Sequence, residues 1–177
     1  MARMVLMCGH PGSGKTYYAK DFAKKTGFRY LSIDDMYATF NGDPYSHENK
    51  FDVWMTFWRQ IHLAELAGQD IIVDTNAPTV DDRNEFLNWF PNFKHYLVWI
   101  DAPMTTCLKN NEQRARKIPA EHMKNMFTFF QPPKMEECAN ARSKWIEIVH
   151  IKNIKNKFER VDNVASQVLD RNSYGYI

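Results

Sequence analysis

The residues Gly9-His10-Pro11-Gly12-Ser13-Gly14-Lys15-Thr16 follow a short apolar run, Met4 to Cys8, and open a helical pattern at Lys15. The spacing G-x-x-x-x-G-K-[ST] between a strand and a helix restricts the fold more than any other stretch of the chain. Gly9, Gly12 and Gly14 let the backbone turn tightly and approach an anion, and they are three of only seven glycines present. The N–H groups freed by the turn converge at a helix N-terminus, where the dipole favours phosphate. Such a loop puts Lys15 on the β- and γ-phosphates of a nucleotide and the Thr16 hydroxyl on Mg²⁺. ATP or GTP binding follows, with Gly9, Pro11, Gly12, Ser13, Gly14, Lys15 and Thr16 as the cradle.

Short apolar runs alternate with longer helical patterns beyond the loop. A first helix is expected from Lys15 to about Lys25, with Gly27 as its stop. A second strand is expected from Phe28 to Ile33, ending at Asp34-Asp35. A long helix spans Phe51 to Ala67 and a strand runs from Asp70 to Val73, ending at Asp74. Val80 to Phe90 reads as a helix broken by Pro91, and Tyr96 to Ile100 as a strand ending at Asp101. Thr105 to Arg116 is a helix, Pro119 starts another that Pro132-Pro133 stops, and Trp145 to Ile151 is a last strand. Strands this apolar are covered on both faces, so the order βαβαβαβαβ predicts an α/β fold: a parallel sheet with helices on either side. Ligands in such sheets lie beyond the carboxyl ends of the strands. Asp34-Asp35, Asp74 and Asp101 stand at three of those ends. Residues 1–151 form the expected domain, and the polar, basic stretch 152–177 an appended tail or small edge element.

The 177 residues suffice for one domain, and the near-neutral net charge of +2 excludes a histone-like binder that relies on bulk charge. Cys8, Cys107 and Cys138 form neither a disulfide framework nor a C-x-x-C pair, which reads as reduced thiols in a cytoplasmic protein. The N-terminus has no signal-peptide core, and no window is apolar enough to span a membrane. The histidines show no metal-ligand spacing.

A guanine-selecting GTPase carries N-K-x-D after a later strand, and a motor ATPase carries a strand ending in Asp-Glu. No N-K-x-D follows a later strand of this chain (Asn49-Lys50-Phe51-Asp52 lies at the start of the long helix), and its strand Ile71-Ile72-Val73 ends in Asp74-Thr75-Asn76. The glutamate that would activate water is absent, which points to a small kinase with an alcohol acceptor. Asp34 is the candidate base for the acceptor hydroxyl, or it caps a helix together with Asp35. Residues 105–122 hold Lys109, Arg114, Arg116 and Lys117 and read as a helical lid whose arginine closes on the phosphates, or as a solvated helix face. Phe51, Trp54, Trp58 and Ile61 share one helical face, which is core against the sheet or a stacking platform for an acceptor base. His10 touches phosphate or shapes the turn.

Four stretches together resemble the kinase module of phage-type 5′-polynucleotide kinases, within a wider P-loop kinase family that includes tRNA kinases and small-molecule phosphotransferases. They are GHPGSGKT at 9–16, SIDDMY at 32–37, IIVDTNAP at 71–78 with Arg83 following, and KNNEQRARKIP at 109–119; FFQPPKMEE at 129–137 is similar to the wider family. The resemblance implies a P-loop kinase fold and ATP/Mg²⁺-dependent phosphorylation of a 5′-hydroxyl on DNA or RNA. It implies Asp34 as general base, Lys15 and Thr16 as the loop residues and Asp74 as a second acid on the acceptor side; the residues themselves point to Lys15 and Arg114 as charge stabilisers, Arg116 as a nucleotide contact and Thr16 as metal ligand. The sequence departs from that pattern at two places: Tyr37 stands where an acceptor-gripping Arg is usual, and an ungapped match puts Gln113, beside Arg114, at the lid arginine. The runner-up reading is a kinase of a small metabolite, nucleoside or nucleotide. A non-catalytic nucleotide-dependent binding module fits less well with an intact Lys15-Thr16 and a full set of acids.

Overall fold

The computed structural model describes residues 1–42, 48–114, 117–139 and 145–161. Strand β1 (Arg3–Cys8) runs between β3 (Ile71–Asp74) and β4 (Lys94–Asp101). Beyond β3 lies β2 (Arg29–Ser32); beyond β4 lies β5 (Trp145–Ile154), and β6 (Lys157–Arg160) forms that edge. The order is β2-β3-β1-β4-β5-β6, with β2 to β5 parallel and β6 antiparallel to β5. The sheet order reverses at β1, so its carboxyl end opens a crevice flanked by two other strand ends.

Alternation along β1 explains why its whole length is apolar. Met4, Leu6 and Cys8 face a core completed by Ile71, Val73, Leu97 and residues of helices α3 (Lys50–Leu66) and α4 (Val80–Trp89). Val5 and Met7 face the opposite core, where Tyr18, Ala19 and Phe22 of α1 (Lys15–Thr26) pack. A third, small cluster joins Ala102 to Cys107 of α5 (Met104–Glu112) and Met123 of α6 (Ala120–Phe129). Among the described residues no helix is long and apolar enough to cross a membrane.

Several boundaries differ from the expectations. The second strand stops at Ser32 rather than Ile33, and a helix α2 (Ile33–Asn41) begins at once. Ser32 Oγ accepts from the Asp35 N–H at 3.3 Å, so the cap is Ser32 and not either aspartate. The helix was legible in Ile33, Met36, Tyr37 and Phe40, an i, i+3, i+4, i+7 stripe. The helix expected to reach Arg116 ends at Glu112. Strand β5 continues to Ile154, past the boundary expected at 151, and turns at Lys155-Asn156 into β6. Both turn residues have positive φ, 54° and 65°, the conformation of a two-residue hairpin that matches strand twist. Residues 162–177 of the expected tail, and Arg116, lie outside the described residues.

Candidate active site

The loop between β1 and α1 is held from three sides. Gly9 has φ 141° and Gly12 φ 79°; a Cβ on either would meet a backbone carbonyl oxygen at 2.5 Å, that of Ile100 or of Cys107 respectively. The loop therefore sits directly on the end of β4 and on the first turn of α5. Asn110 Nδ2 donates to Gly12 O at 2.8 Å, and the buried Asn153 Nδ2 donates to Ser13 O at 2.7 Å. With its carbonyls tied outward, the loop leaves its N–H groups at the start of α1 for an anion. This cradle, which side chains at Gly9 or Gly12 would crowd, fits the phosphates of ATP.

Lys15 is buried at the first position of α1, and its Nζ donates to Gly9 O and His10 O, both at 2.8 Å. Burial pulls its pKa below the ordinary lysine value, against the pull of Asp74. Pro11 and Ser13 are buried in the loop, and Thr16 is exposed on α1 with its hydroxyl available to a cation. Asp74 ends β3 almost fully buried, and the Tyr30 hydroxyl donates to its Oδ2 at 2.8 Å. Asp34, in the first turn of α2, has its pKa raised by desolvation and then by the charge of Asp74, while Lys15 and Arg114 oppose the rise. Arg114 is half-buried just after α5 and acts electrostatically on both Lys15 and Asp34. The structure thus brings Lys15, Asp34, Asp74 and Arg114 into one electrostatic cluster over the loop.

Beside the cluster lies a pocket of about 430 Å³. Gly9, His10 and Pro11 line one side; Asp34, Tyr37 and Trp54 another; Phe129 and Phe130 close it from α6 and its end. Tyr37 is buried and hydrogen-bonds Trp54. The aromatic face of α3 divides. Val53, Phe57 and Ile61 are buried, Phe51 is exposed, and Trp54 turns to the pocket. His10 is stacked on Phe127, ring centroids 3.5 Å apart and nearly parallel, with Phe130 at 4.3 Å. Burial there pushes its pKa down to about 4, so at neutral pH the ring is an uncharged spacer between the loop and α6.

Three sets of residues had no role in the sequence reading, although Arg83 and Asn110 stand in the stretches that carry the resemblance. Tyr30 holds Asp74, Asn110 and Asn153 hold the loop, and Arg83 holds the segment after β3. Arg83 is fully buried; its Nε and Nη2 reach the two carboxylate oxygens of Glu137, each at 2.8 Å, and Nη1 donates to Ala77 O at 3.2 Å and Gln131 O at 3.0 Å. Ala77 has φ 41°, a conformation that costs about 1–2 kcal/mol for a residue with a Cβ. Arg83 and the Cys8 thiol, 3.3 Å from the same carbonyl, hold it in place. The available signal was a polar residue inside an apolar run, Asn153 in β5 above all.

The family profile described as AAA domain (AAA_33) matches residues 4–133. The chain belongs to that family. Its strand β3 ends at Asp74, followed by Thr75-Asn76 and not by the Glu of a motor ATPase, and its fold is shared with solved kinases. It is 26% identical over 141 residues to L-seryl-tRNA(Sec) kinase of Methanococcus maripaludis (73% of this chain), and it spans only about half, 53%, of that relative's length. Among solved structures it is similar to a sugar kinase of Janibacter sp. HTCC2649 at 18% identity (TM-score 0.63, 86% of each chain). It is also similar to a chain of the Pnkp1/Rnl/Hen1 RNA repair complex at 14% identity (TM-score 0.67, 72% of this chain and 43% of that one). The expected α/β architecture is that of these neighbours.

Proposed function

We propose that this protein is a P-loop kinase that transfers the γ-phosphate of ATP to a 5′-hydroxyl at the end of a DNA or RNA strand. The observation that carries the reading is the pocket beside Asp34. Its volume lies in the range of about 300–1,000 Å³ typical of small-molecule sites, and Trp54, Phe129 and Phe130 offer aromatic faces to a terminal base. With the base stacked there, the 5′-hydroxyl lies toward Asp34. Asp34 takes the proton of that hydroxyl, and its raised pKa strengthens it as a base. Lys15 and Arg114 stabilise the charge that spreads over the transferred group. Asp74, oriented by Tyr30, is the second acid of the site. Thr16 is the residue that would hold Mg²⁺, which when bound neutralises phosphate charge. Arg116 is assigned to nucleotide contact from its place in the sequence. A relative named for phosphorylating a tRNA-bound serine is consistent with an acceptor alcohol carried on nucleic acid.

A specific observation favours a second reading, a small alcohol as acceptor. Tyr37 occupies the place of a phosphate-gripping Arg, and the pocket has Asp34, Asp82 and Glu85 against Lys50 alone, an unfavourable balance for an acceptor phosphate. Transfer of labelled γ-phosphate to a 5′-hydroxyl oligonucleotide tests both readings. Labelling of the oligonucleotide, abolished in Asp34→Asn, is the expected result. Labelling of nucleosides, sugars or seryl-tRNA with none of the oligonucleotide would overturn the first reading.

A further inference from the structure

The end of α5 carries two adjacent asparagines with different tasks. Asn110 reaches down to the phosphate loop through Gly12 O and also meets Asn156 Oδ1 at 3.1 Å. Asn111 points the other way and is buried, 5% exposed. Its Nδ2 donates to Ile118 O at 2.7 Å, and its Oδ1 accepts from the Ile118 N–H at 3.0 Å. One amide side chain therefore satisfies both backbone groups of a single residue, as a neighbouring strand would. Ile118 is fixed in turn: its side chain packs on the small cluster of Cys107 and Met123, and Pro119 follows as the start of α6. The chain leaves α5 at Glu112 and returns at Ile118, and Asn111 closes that excursion at its base. Arg114 stands inside it. Its N–H donates to Asn111 O at 3.2 Å, and its charge reaches Lys15, Asp34 and Cys107.

We propose that Asn111 is the positioning residue of Arg114. Through its backbone carbonyl it holds the start of the excursion, and through its side chain it sets where the chain returns. Asn110, one residue earlier, ties the same helix end to the loop that holds the phosphates. The pair thus fixes the guanidinium relative to Lys15 rather than leaving it on a free loop. A long cation on an untethered segment loses rotamer and backbone entropy each time it engages, and displacement by about 1 Å can cost on the order of a hundredfold in rate. A buried amide bonded on both edges removes that cost in advance. The proposal rests on Arg114 as the charge stabiliser and is independent of which alcohol is the acceptor.

The test is a double-mutant cycle of Asn111→Ala and Arg114→Ala. ATP turnover to water is read alongside transfer to a 5′-hydroxyl oligonucleotide, so that failure of the acceptor reading leaves the cycle intact. Asn111→Ala alone is expected to lower kcat by roughly ten- to a hundredfold with little change in the KM for ATP. In the Arg114→Ala background the same substitution is expected to change kcat by less than about twofold, because a residue that acts only through the guanidinium has nothing left to position. An equal loss in both backgrounds would overturn the proposal and make Asn111 a general structural residue. So would a normal kcat in Asn111→Ala, or an Arg114→Ala enzyme with unimpaired turnover. If Asn111→Ala does not fold, Asn111→Asp, which keeps the acceptor and loses the donor to Ile118 O, is put through the same cycle.

Discussion

The hydroxyl of Tyr30 donates to Asp74 Oδ2 at 2.8 Å, although the two residues lie on different strands and do not face each other in register. Tyr30 pairs with Ile72, so it reaches Asp74 diagonally, two residues along the same face of the sheet. The bond gives a buried carboxylate a fixed donor and pushes the tyrosine pKa up, with burial the larger cause and Asp74 the next. Tyr30→Phe removes that donor and leaves the acceptor in place. Leaving such a group short of a partner typically costs about 1–3 kcal/mol. A lower denaturation midpoint by urea titration is expected, together with a several-fold lower kcat at unchanged KM for ATP.

Asp34 and Asp74 are coupled in a second way. The negative charge of Asp74 raises the pKa of Asp34, so neutralising it should lower that pKa. The base is active when ionised, and the acid limb of kcat against pH follows its pKa. The wild-type limb is therefore expected above the ordinary aspartate value, and in Asp74→Asn it should move to lower pH even though the maximal rate falls. A pH–rate profile of both proteins checks this; a limb that stays put would remove Asp34 from the role of base.

Arg83 lies under the segment after β3 and offers two separable substitutions. Arg83→Ala leaves Glu137 buried without its partner and frees the left-handed Ala77, a loss expected at about 3–5 kcal/mol. Replacing both partners, Arg83→Met with Glu137→Leu, removes the uncompensated charge and should recover much of that loss. Thermal unfolding of the single and double variants reads the difference. Activity should remain low in both, because Ala77 lines the acceptor pocket.

Trp54→Ala separates the two substrates. The indole lines the pocket beside Tyr37 and Asp34, and it is not part of the loop that cradles phosphate. A stacked base is worth about 1–3 kcal/mol, so the KM for an oligonucleotide acceptor is expected to rise by roughly five- to a hundredfold. The KM for ATP should not move. Steady-state kinetics with each substrate varied in turn gives the split.

Local pattern carried the fold to the reader where backbone and burial agree. The apolar runs of β1, β3 and β4 are buried on both faces, and no polar task competes with their periodicity. The phosphate loop was equally plain, because only glycine tolerates the carbonyls of Ile100 and Cys107 at such short range. Helix α2 was passed over despite its apolar stripe, because Asp34-Asp35 reads as a strand end while Ser32 had already capped a helix. The partners of the site were hidden for another reason. Tyr30 with Asp74, Asn153 with Ser13 and Arg83 with Glu137 are separated by 44, 140 and 54 residues, and no local spacing signals contacts of that reach.

His95 is one of two buried histidines that couple the fold to acid. It is buried on β4, edge-on to Trp145 at 6.0 Å, and its Nε2 has no hydrogen-bond partner. Burial pushes its pKa down to about 4 from the usual 6.5, and His10, between Phe127 and Phe130, is pushed down to about 4 as well. A group whose folded pKa is depressed binds more protons when unfolded, so stability rises with pH across the window between the two values. The contribution of both rings is whole above about pH 6.5 and is lost progressively as the pH falls toward 4. Urea midpoints should therefore be flat above neutrality and decline between those limits. His95→Leu, which has no proton to take up, should make the decline shallower, with His10 still contributing to what remains. A midpoint that falls just as steeply in His95→Leu would assign the acid sensitivity to other groups.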